Sequence, residues 1–233
     1  MDAIILAAGL GTRLRPHTET TPKPLLPVQG RPILDWALGA LPPAVNRVIV
    51  VVEYLGKQIE TYLGQQKHIP SFEVVWQGQP RGTGDAVRKC RDHLRGGPFL
   101  VLNGDDLYGA ADLAQLAQHR AGLLLQPVQT PESYGIATLK SDGTLERLVE
   151  KPKGLTPPQL ANTGAYVFPP EVFEHELQLS PRGEYEITDY VTALARKGTV
   201  AAVRCDFWFP IGNVEAWQAA QTAELERWLH GRG

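Results

Sequence analysis

The strongest constraint on the fold is a rhythm in the first hundred residues. Short apolar runs at residues 3–7 (AIILA), 47–53 (RVIVVVE), 72–76 (FEVVW) and 98–102 (PFLVL) alternate with segments of helical periodicity. The second run is almost unbroken and β-branched, as a strand covered on both faces would be. Residues 32–41 place Ile33, Leu34, Ala37, Leu38 and Leu41 on one helical face, and Pro32 suits the first helical position. Residues 55–63 read as a second helix and 83–94 as a third, with Thr83 as its N-cap. The order βαβαβαβ implies parallel strands joined by crossover helices on both sides of a sheet. The expected class is therefore α/β, three layers (α/β/α) built on a mostly parallel, Rossmann-like sheet.

The second half changes character. Residues 134–149 look like two strands around Ser141-Asp142-Gly143, a hairpin signal. Residues 165–168 read as a short strand and 200–205 as a late one. Residues 184–195 are helical, with Ile187, Val191, Leu194 and Ala195 on one face, and 213–229 form a terminal helix. At 233 residues, without internal repeats, one domain over 1–233 is expected.

Gross properties exclude several classes of partner. A formal net charge of −2 gives no global basic field for nucleic acid. The only cysteines, Cys90 and Cys205, are too far apart for zinc spacing or a disulfide framework. They read as reduced, buried thiols of a cytosolic protein. The apolar runs are too short for a transmembrane helix, and the N-terminus lacks the basic region of a signal peptide. The expectation is a cytoplasmic protein that acts on small molecules, with no nucleic acid and no membrane.

The carboxyl ends of strands are where open α/β sheets bind ligands. After the first strand the chain reads LAAGLGTRLRPHTETTPKPLLP. Gly9 and Gly11 let the backbone approach a ligand, and successive amides there can cradle phosphate oxygens. Arg13 and Arg15 add fixed, forked charge. Lys23 adds a point charge between two prolines that stiffen the loop. Such a set calls for a polyanion. The dinucleotide fingerprint G-x-G-x-x-G fails at Leu14, and G-x-x-x-x-G-K-[ST] is absent.

LAAGLGTRLRP followed by TPKPLLPVQGRPIL resembles the opening signature of the sugar-1-phosphate nucleotidylyltransferases, roughly L-A-[AG]-G-x-G-[ST]-R-L and then P-K-x-[ML]. The likeness runs nearly end to end. It implies a mixed sheet of the nucleotide-diphospho-sugar transferase type, with a nucleotide-binding half (1–110) and a sugar-phosphate-binding half (111–233). It also implies that Leu6, Ala7, Ala8, Gly9, Gly11, Thr12, Arg13 and Lys23 bind nucleotide. WQGQPRGTGDAV resembles the base-recognition segment, with Gln77 followed five residues later by Gly82-Thr83. A glutamine amide can donate and accept at once.

Asn103-Gly104-Asp105-Asp106 ends the 98–102 strand, and the resemblance implies that Asp105 binds Mg²⁺, which favours carboxylate oxygen. Asp106 is expected to be solvated or to stand behind the ligands. Tyr134-Gly135, Glu150-Lys151-Pro152 and Asn162-Thr163-Gly164 resemble the family's Y-G, E-K-P and N-T-G. They imply Gly135 at the sugar site, Glu150 and Asn162 bonding sugar hydroxyls with Thr163 beside them, and Lys151 meeting the sugar phosphate. The segment from Gly183 to Asp189 resembles G-E-x-x-x-T-D and reads mainly as structural. One stretch departs. Where the family has W-x-D-[IVT]-G, with a metal-binding aspartate, this chain has Trp208-Phe209-Pro210-Ile211-Gly212. Asp206 is four residues from Pro210, about 13 Å in an extended chain, and Asn213 is a neutral alternative.

The reaction so implied is NTP plus sugar 1-phosphate giving NDP-sugar and pyrophosphate, by in-line attack on the α-phosphorus. Arg13 would hold the β- and γ-phosphates, Lys23 would lie near the α-phosphate and the attacking phosphate, and Mg²⁺ at Asp105 would bridge them. The nucleophile is already an anion, so no general base is required and none of the six histidines is assigned. Gly82-Thr83-Gly84-Asp85-Ala86 resembles uridylyl- and thymidylyltransferases more than guanylyltransferases. UTP or dTTP is expected over GTP, with glucose 1-phosphate or a relative as acceptor. Three other readings stand beside this one. They are a regulatory nucleotide or sugar-phosphate binder, which Pro210 favours, a mannose-1-phosphate guanylyltransferase, and a phosphocholine cytidylyltransferase-like enzyme. There are no hexapeptide repeats like those of the β-helix many relatives carry, so a stand-alone transferase is expected. A homo-oligomer is left open.

Overall fold

A computed structural model of the chain describes residues 1–229. Strand β1 (Asp2–Ala7) lies near the middle of a nine-stranded sheet. A two-residue ladder, β2 (Pro27–Val28) with β3 (Arg31–Pro32), leads into α1 (Ile33–Ala40). Pro32 precedes that helix as its N-cap residue instead of occupying the first turn. Next come β4 (Arg47–Val52), α2 (Gly56–Leu63), β5 (Phe72–Trp76), α3 (Thr83–Lys89) and β6 (Phe99–Asn103). Strands β6, β1, β4 and β5 are neighbours in that order and all parallel. This is the parallel arrangement that the alternating sequence demands.

The expected third helix stops early, at Lys89, with a separate 3-10 turn at Arg91–His93. Its N-cap is Gly82, at φ 104°, and Thr83 is already helical. The Thr83 hydroxyl instead accepts the Ile187 N–H at 3.0 Å.

Beyond β6 run β7 (Asp106–Tyr108), α4 (Ala110–Leu116), β8 (Gly122–Val128), the hairpin β9 (Gly135–Leu139) and β10 (Leu145–Glu150), and β11 (Gln159–Phe168). Then follow α5 (Ile187–Lys197), β12 (Ala201–Arg204), β13 (Trp208–Pro210), α6 (Val214–Ala220) and α7 (Glu226–Leu229). The single terminal helix expected over 213–229 is thus two shorter pieces, the first capped by the Asn213 side chain on the Ala216 N–H at 2.9 Å. Strand β11 is longer than its apolar core suggests, because Asn162-Thr163-Gly164 continues it.

Strand β11 decides how the halves join. It runs antiparallel to β6, with Ala165 opposite Leu102 and Phe168 opposite Phe99. On its other edge it pairs antiparallel with β8, and the register shifts between Asn162 and Tyr166. The beginning of β11 therefore lies at the same rim as the carboxyl ends of the parallel strands.

Alternation along β1 and β4 feeds two apolar layers. Ala3, Ile5, Val48 and Val50 face a core shared with α1, α2 and α4. Ile4, Ile49 and Val51 face a second core shared with α3 and α5. A sheet buried on both sides explains the unbroken apolar runs. Cys90 and Cys205 are free and buried, and burial pushes each thiol up to about 12.

Candidate active site

Three abutting cavities occupy the rim at the carboxyl ends of β1 and β6, and Lys23 and Asp105 line all three. The first, about 340 Å³, is formed by Leu6, Ala7, Ala8 and Gly9 with Gln77, Gly82 and Thr83. The second, about 140 Å³, is formed by Gly9, Gly11, Thr12 and Arg13. The third, about 470 Å³, takes Arg13 together with Gly135, Glu150, Lys151, Asn162 and Thr163. Arg15 lines none of the three cavities, whereas every residue assigned in the sequence to nucleotide, sugar phosphate or metal falls on one continuous groove. A larger cavity of about 570 Å³, around His175 and Tyr190, contains none of them.

The glycine turn is built as the sequence suggests. Gly11 sits at φ 63°, and a Cβ there would come within 2.9 Å of Thr18 Cγ2. A larger residue would meet both backbone strain and a clash. The Thr18 hydroxyl donates to the Gly11 carbonyl at 2.8 Å and ties the loop back on itself. Arg13 is exposed and faces the groove. Lys23 is only 7% exposed, and its Nζ lies 2.5 Å from Asp105 Oδ2. A nearly buried ammonium needs a counter-charge, and Asp105 supplies it.

Asp105 is placed by the turn after β6, where the Gly104 N–H bonds to the Leu6 carbonyl at 2.9 Å. A side chain at Gly104 would strike that same carbonyl at 2.8 Å, so the turn is packed against β1.

Of the two expectations for Asp106, solvated or standing behind the ligands, burial rules out the first. The residue is 7% exposed, starts β7, and accepts a hydrogen bond from Trp208 Nε1 at 3.3 Å. Burial pushes its carboxyl up to about 7, and Asp105 adds to the effect, while Lys23, Trp208 and Asn103 oppose it. Strands β7 and β13 are antiparallel with Asp106 directly opposite Pro210. Residues so paired share a face of the ladder, their Cβ atoms about 4.5–5.5 Å apart. A carboxylate absent at 210 is therefore matched by one on the adjoining strand. Asp206 does not line the groove. Its N–H instead donates to Asp112 at 3.1 Å. Asn213 does line the groove, but its side-chain oxygen is engaged in capping α6.

On the far wall, Asn162 Nδ2 donates to the Tyr166 hydroxyl at 2.7 Å, and its Oδ1 accepts the Gly164 N–H at 3.2 Å. The Thr163 hydroxyl points away from the groove and donates to the Leu124 carbonyl at 3.0 Å. Gly135 is backed by Glu150, whose Oε2 would be 3.1 Å from an added Cβ.

Sequence reasoning missed Arg182. It lines the third cavity, held by Glu186 Oε1 at 3.1 Å from Nε and 2.7 Å from Nη2. The segment GEYEITD therefore does more than support the fold. It reaches the groove because Tyr185 N–H bonds to Arg81 O at 2.8 Å and Gly84 N–H to Tyr185 O at 2.8 Å. A cation beside Glu-x-x-x-Thr-Asp was the available signal.

No helix among the described residues is long and apolar enough to cross a membrane. The sequence matches the family described as Nucleotidyl transferase over residues 2–227. It is 34% identical over 216 residues to the Bifunctional protein GlmU of Methanocaldococcus jannaschii, covering 91% of this chain and 52% of that protein. The chain thus spans about half the length of that relative. It is 33% identical to the UTP–glucose-1-phosphate uridylyltransferase AglF of Haloferax volcanii, covering 95% of this chain and 97% of that one. In structure it resembles a protein from Bacillus anthracis described as a glucose-1-phosphate thymidylyltransferase, crystallised with sucrose. The TM-score is 0.84 at 29% identity, covering 95% and 94% of the two chains. With the glycine turn, the Lys23–Asp105 pair and the mixed sheet all in place, the chain belongs to the nucleotidyl transferase family.

Proposed function

We propose that the protein transfers a nucleotidyl group from an NTP, UTP or dTTP in preference, to a sugar 1-phosphate, releasing pyrophosphate. The observation that carries this reading is the junction of three cavities at Lys23 and Asp105. One cavity has the size and the amide edge for a base, one is a glycine and arginine turn suited to phosphates, and one is a large polar chamber suited to a sugar. The names of AglF and of the B. anthracis protein agree with it. So do the two halves of the chain. Residues 1–110 would hold the nucleotide and 111–233 the sugar phosphate, with Arg13, Lys23 and Asp105 between them.

The chemistry follows from charge. The attacking oxygen is already anionic, so the task is to bring two polyanions into line and to neutralise the leaving pyrophosphate. Arg13 faces the turn where β- and γ-phosphates would lie, and Lys23 lines all three cavities, where donor and acceptor phosphates would meet. Arg182 and Lys151 add positive charge on the acceptor side. The donor set fits Mg²⁺, which takes one or two carboxylates plus substrate phosphates. Asp105 and Asp106 supply such carboxylates, and no group of three or more His, Cys, Asp or Glu gathers among the described residues. When bound there, the cation would screen phosphate charge and polarise the α-phosphate. The buried, unreactive thiols suit a reducing cytoplasm.

The test is a panel of UTP, dTTP, GTP and CTP against sugar 1-phosphates with Mg²⁺, read as pyrophosphate release. Turnover with a uracil or thymine nucleotide supports the proposal. No release from any pair refutes it.

A further inference from the structure

Gln77 is 3% exposed at the back of the 340 Å³ cavity, and its surroundings fix which way its amide points. Its Nε2 donates to the Gly82 carbonyl at 3.1 Å and makes a longer contact, 3.5 Å, to Asp85 Oδ2. Both neighbours are oxygens that only accept. The orientation is therefore dictated by chemistry, because an Oε1 turned towards them would face two acceptors. With both amide protons engaged inside the protein, the group left for the cavity is Oε1, an acceptor.

Asp85 is 1% exposed, in the first turn of α3. A carboxylate buried this deeply is costly unless it is paired. Its Oδ1 has a partner in Arg88 at 2.5 Å, which stands half-exposed at the surface. Its other oxygen is turned inward to Gln77. An ion pair with Arg88 alone would not require a position beneath the glutamine.

We propose that Asp85 is a positioning residue that holds the Gln77 amide as an acceptor-only reader, so that the donor base must present a ring N–H. Uracil and thymine carry that proton at N3, whereas cytosine has a lone pair there and adenine one at N1. This rests on the transferase reading above and sharpens it, since a freely rotating glutamine could serve either kind of edge. A cytosine ring would set its lone pair against Oε1, and the amide could turn only by abandoning Gly82 and facing a carboxylate. A site built to accept a substrate N–H rejects analogues lacking it strongly, by about 10²-fold or more.

Equilibrium binding of UTP and of CTP, measured by calorimetry on the full chain, tests the idea independently of turnover. The wild type should prefer UTP by at least roughly 10²-fold. In Asp85→Asn, whose amide can donate to Gln77 Oε1 and let it turn, the preference should fall by about tenfold or more, the scale of one charge-assisted hydrogen bond. Asp85→Ser, smaller and also neutral, gives the same reading should the asparagine variant misfold. A merely structural role for Asp85 would weaken both nucleotides alike and leave the ratio in place. A wild type that binds CTP as well as UTP, or an unchanged ratio in folded variants, overturns the proposal. Ring selection without pyrophosphate release would instead count against the transferase reading.

Discussion

The Lys23–Asp105 pair is lopsided, and its two halves should respond differently to loss of the partner. The Lys23 side chain is 9% exposed and that of Asp105 is 37% exposed, with 2.5 Å between them. Asp105→Asn leaves an ammonium buried without its counter-ion. Breaking a fully buried pair costs about 3–5 kcal/mol, and partial hydration of the pair together with remaining attraction to Asp106 reduces this to about 2–3 kcal/mol. Lys23→Met leaves a carboxylate that water already reaches, and the exchange of a buried ammonium for an apolar stem offsets part of the loss. Asp106 would lose a stabilising cation, but by taking up a proton it limits that cost. The expected price of Lys23→Met is about 0–1 kcal/mol. At about 2–4 °C per kcal/mol for a chain of this size, Asp105→Asn should lower Tm by roughly 4–12 °C and Lys23→Met by less than about 4 °C. The double variant should be more stable than Asp105→Asn alone, because it removes the orphaned charge. Urea unfolding followed by tryptophan fluorescence, at pH 7.5 in low salt without divalent cation or nucleotide, gives all four values. Lys23→Met proving as destabilising as Asp105→Asn would refute the asymmetry and the burial argument behind it.

Arg13→Ala removes an exposed cation that packs against little, so it should leave Tm unchanged while lowering kcat/KM for pyrophosphate release by about 10²-fold or more. Asp106→Asn should raise Tm in metal-free buffer, and by more at pH 8 than at pH 5. The folded carboxyl keeps its proton to about 7. Its contribution is therefore full below the unfolded value and is lost as pH rises through 7. Differential scanning calorimetry at the two pH values checks the sign, and a gain confined to pH 5 would contradict it. Gly82→Ala forces a side chain onto φ 104° with its Cβ 2.5 Å from the Tyr185 carbonyl. The cost should be about 2–5 kcal/mol, seen as a lower urea midpoint.

The first hundred residues were legible because their strands are covered on both faces, which writes an unbroken apolar run into the sequence. The stretch from 106 to 128 was not. Strand β7 has three residues and α4 seven, too short for a period to show, and β8 contains Pro127. That proline is tolerated because β12 pairs with β8 only from Gly122 to Leu125, leaving an unpaired edge beyond. Motif spacing located most of the groove, since the glycine turn, Gln77 and Asp105 each follow directly from a strand end. It could not show that Asp106 is buried, a result of β13 arriving from a hundred residues away. Nor could it show that Arg182 reaches the groove, which depends on tertiary hydrogen bonds around Tyr185. Nor could it show that the Gln77 amide nitrogen is turned to Gly82 and Asp85, which depends on how α3 packs behind it.

The reversed direction of β11 leaves the groove with walls of two different materials. One side is made of loops, residues 8–25 and 77–82, which follow strands and can change length without disturbing the sheet. The other side begins in a ladder-bonded strand, where Asn162 stands opposite Leu125 just before the register shift that precedes Tyr166. One residue inserted within the paired run from Gln159 to Asn162 would turn the side chains of that run to the opposite face of the sheet. If the groove works as proposed, nucleotide preference can drift by loop remodelling, whereas acceptor preference must be rewritten mainly letter by letter, through substitution.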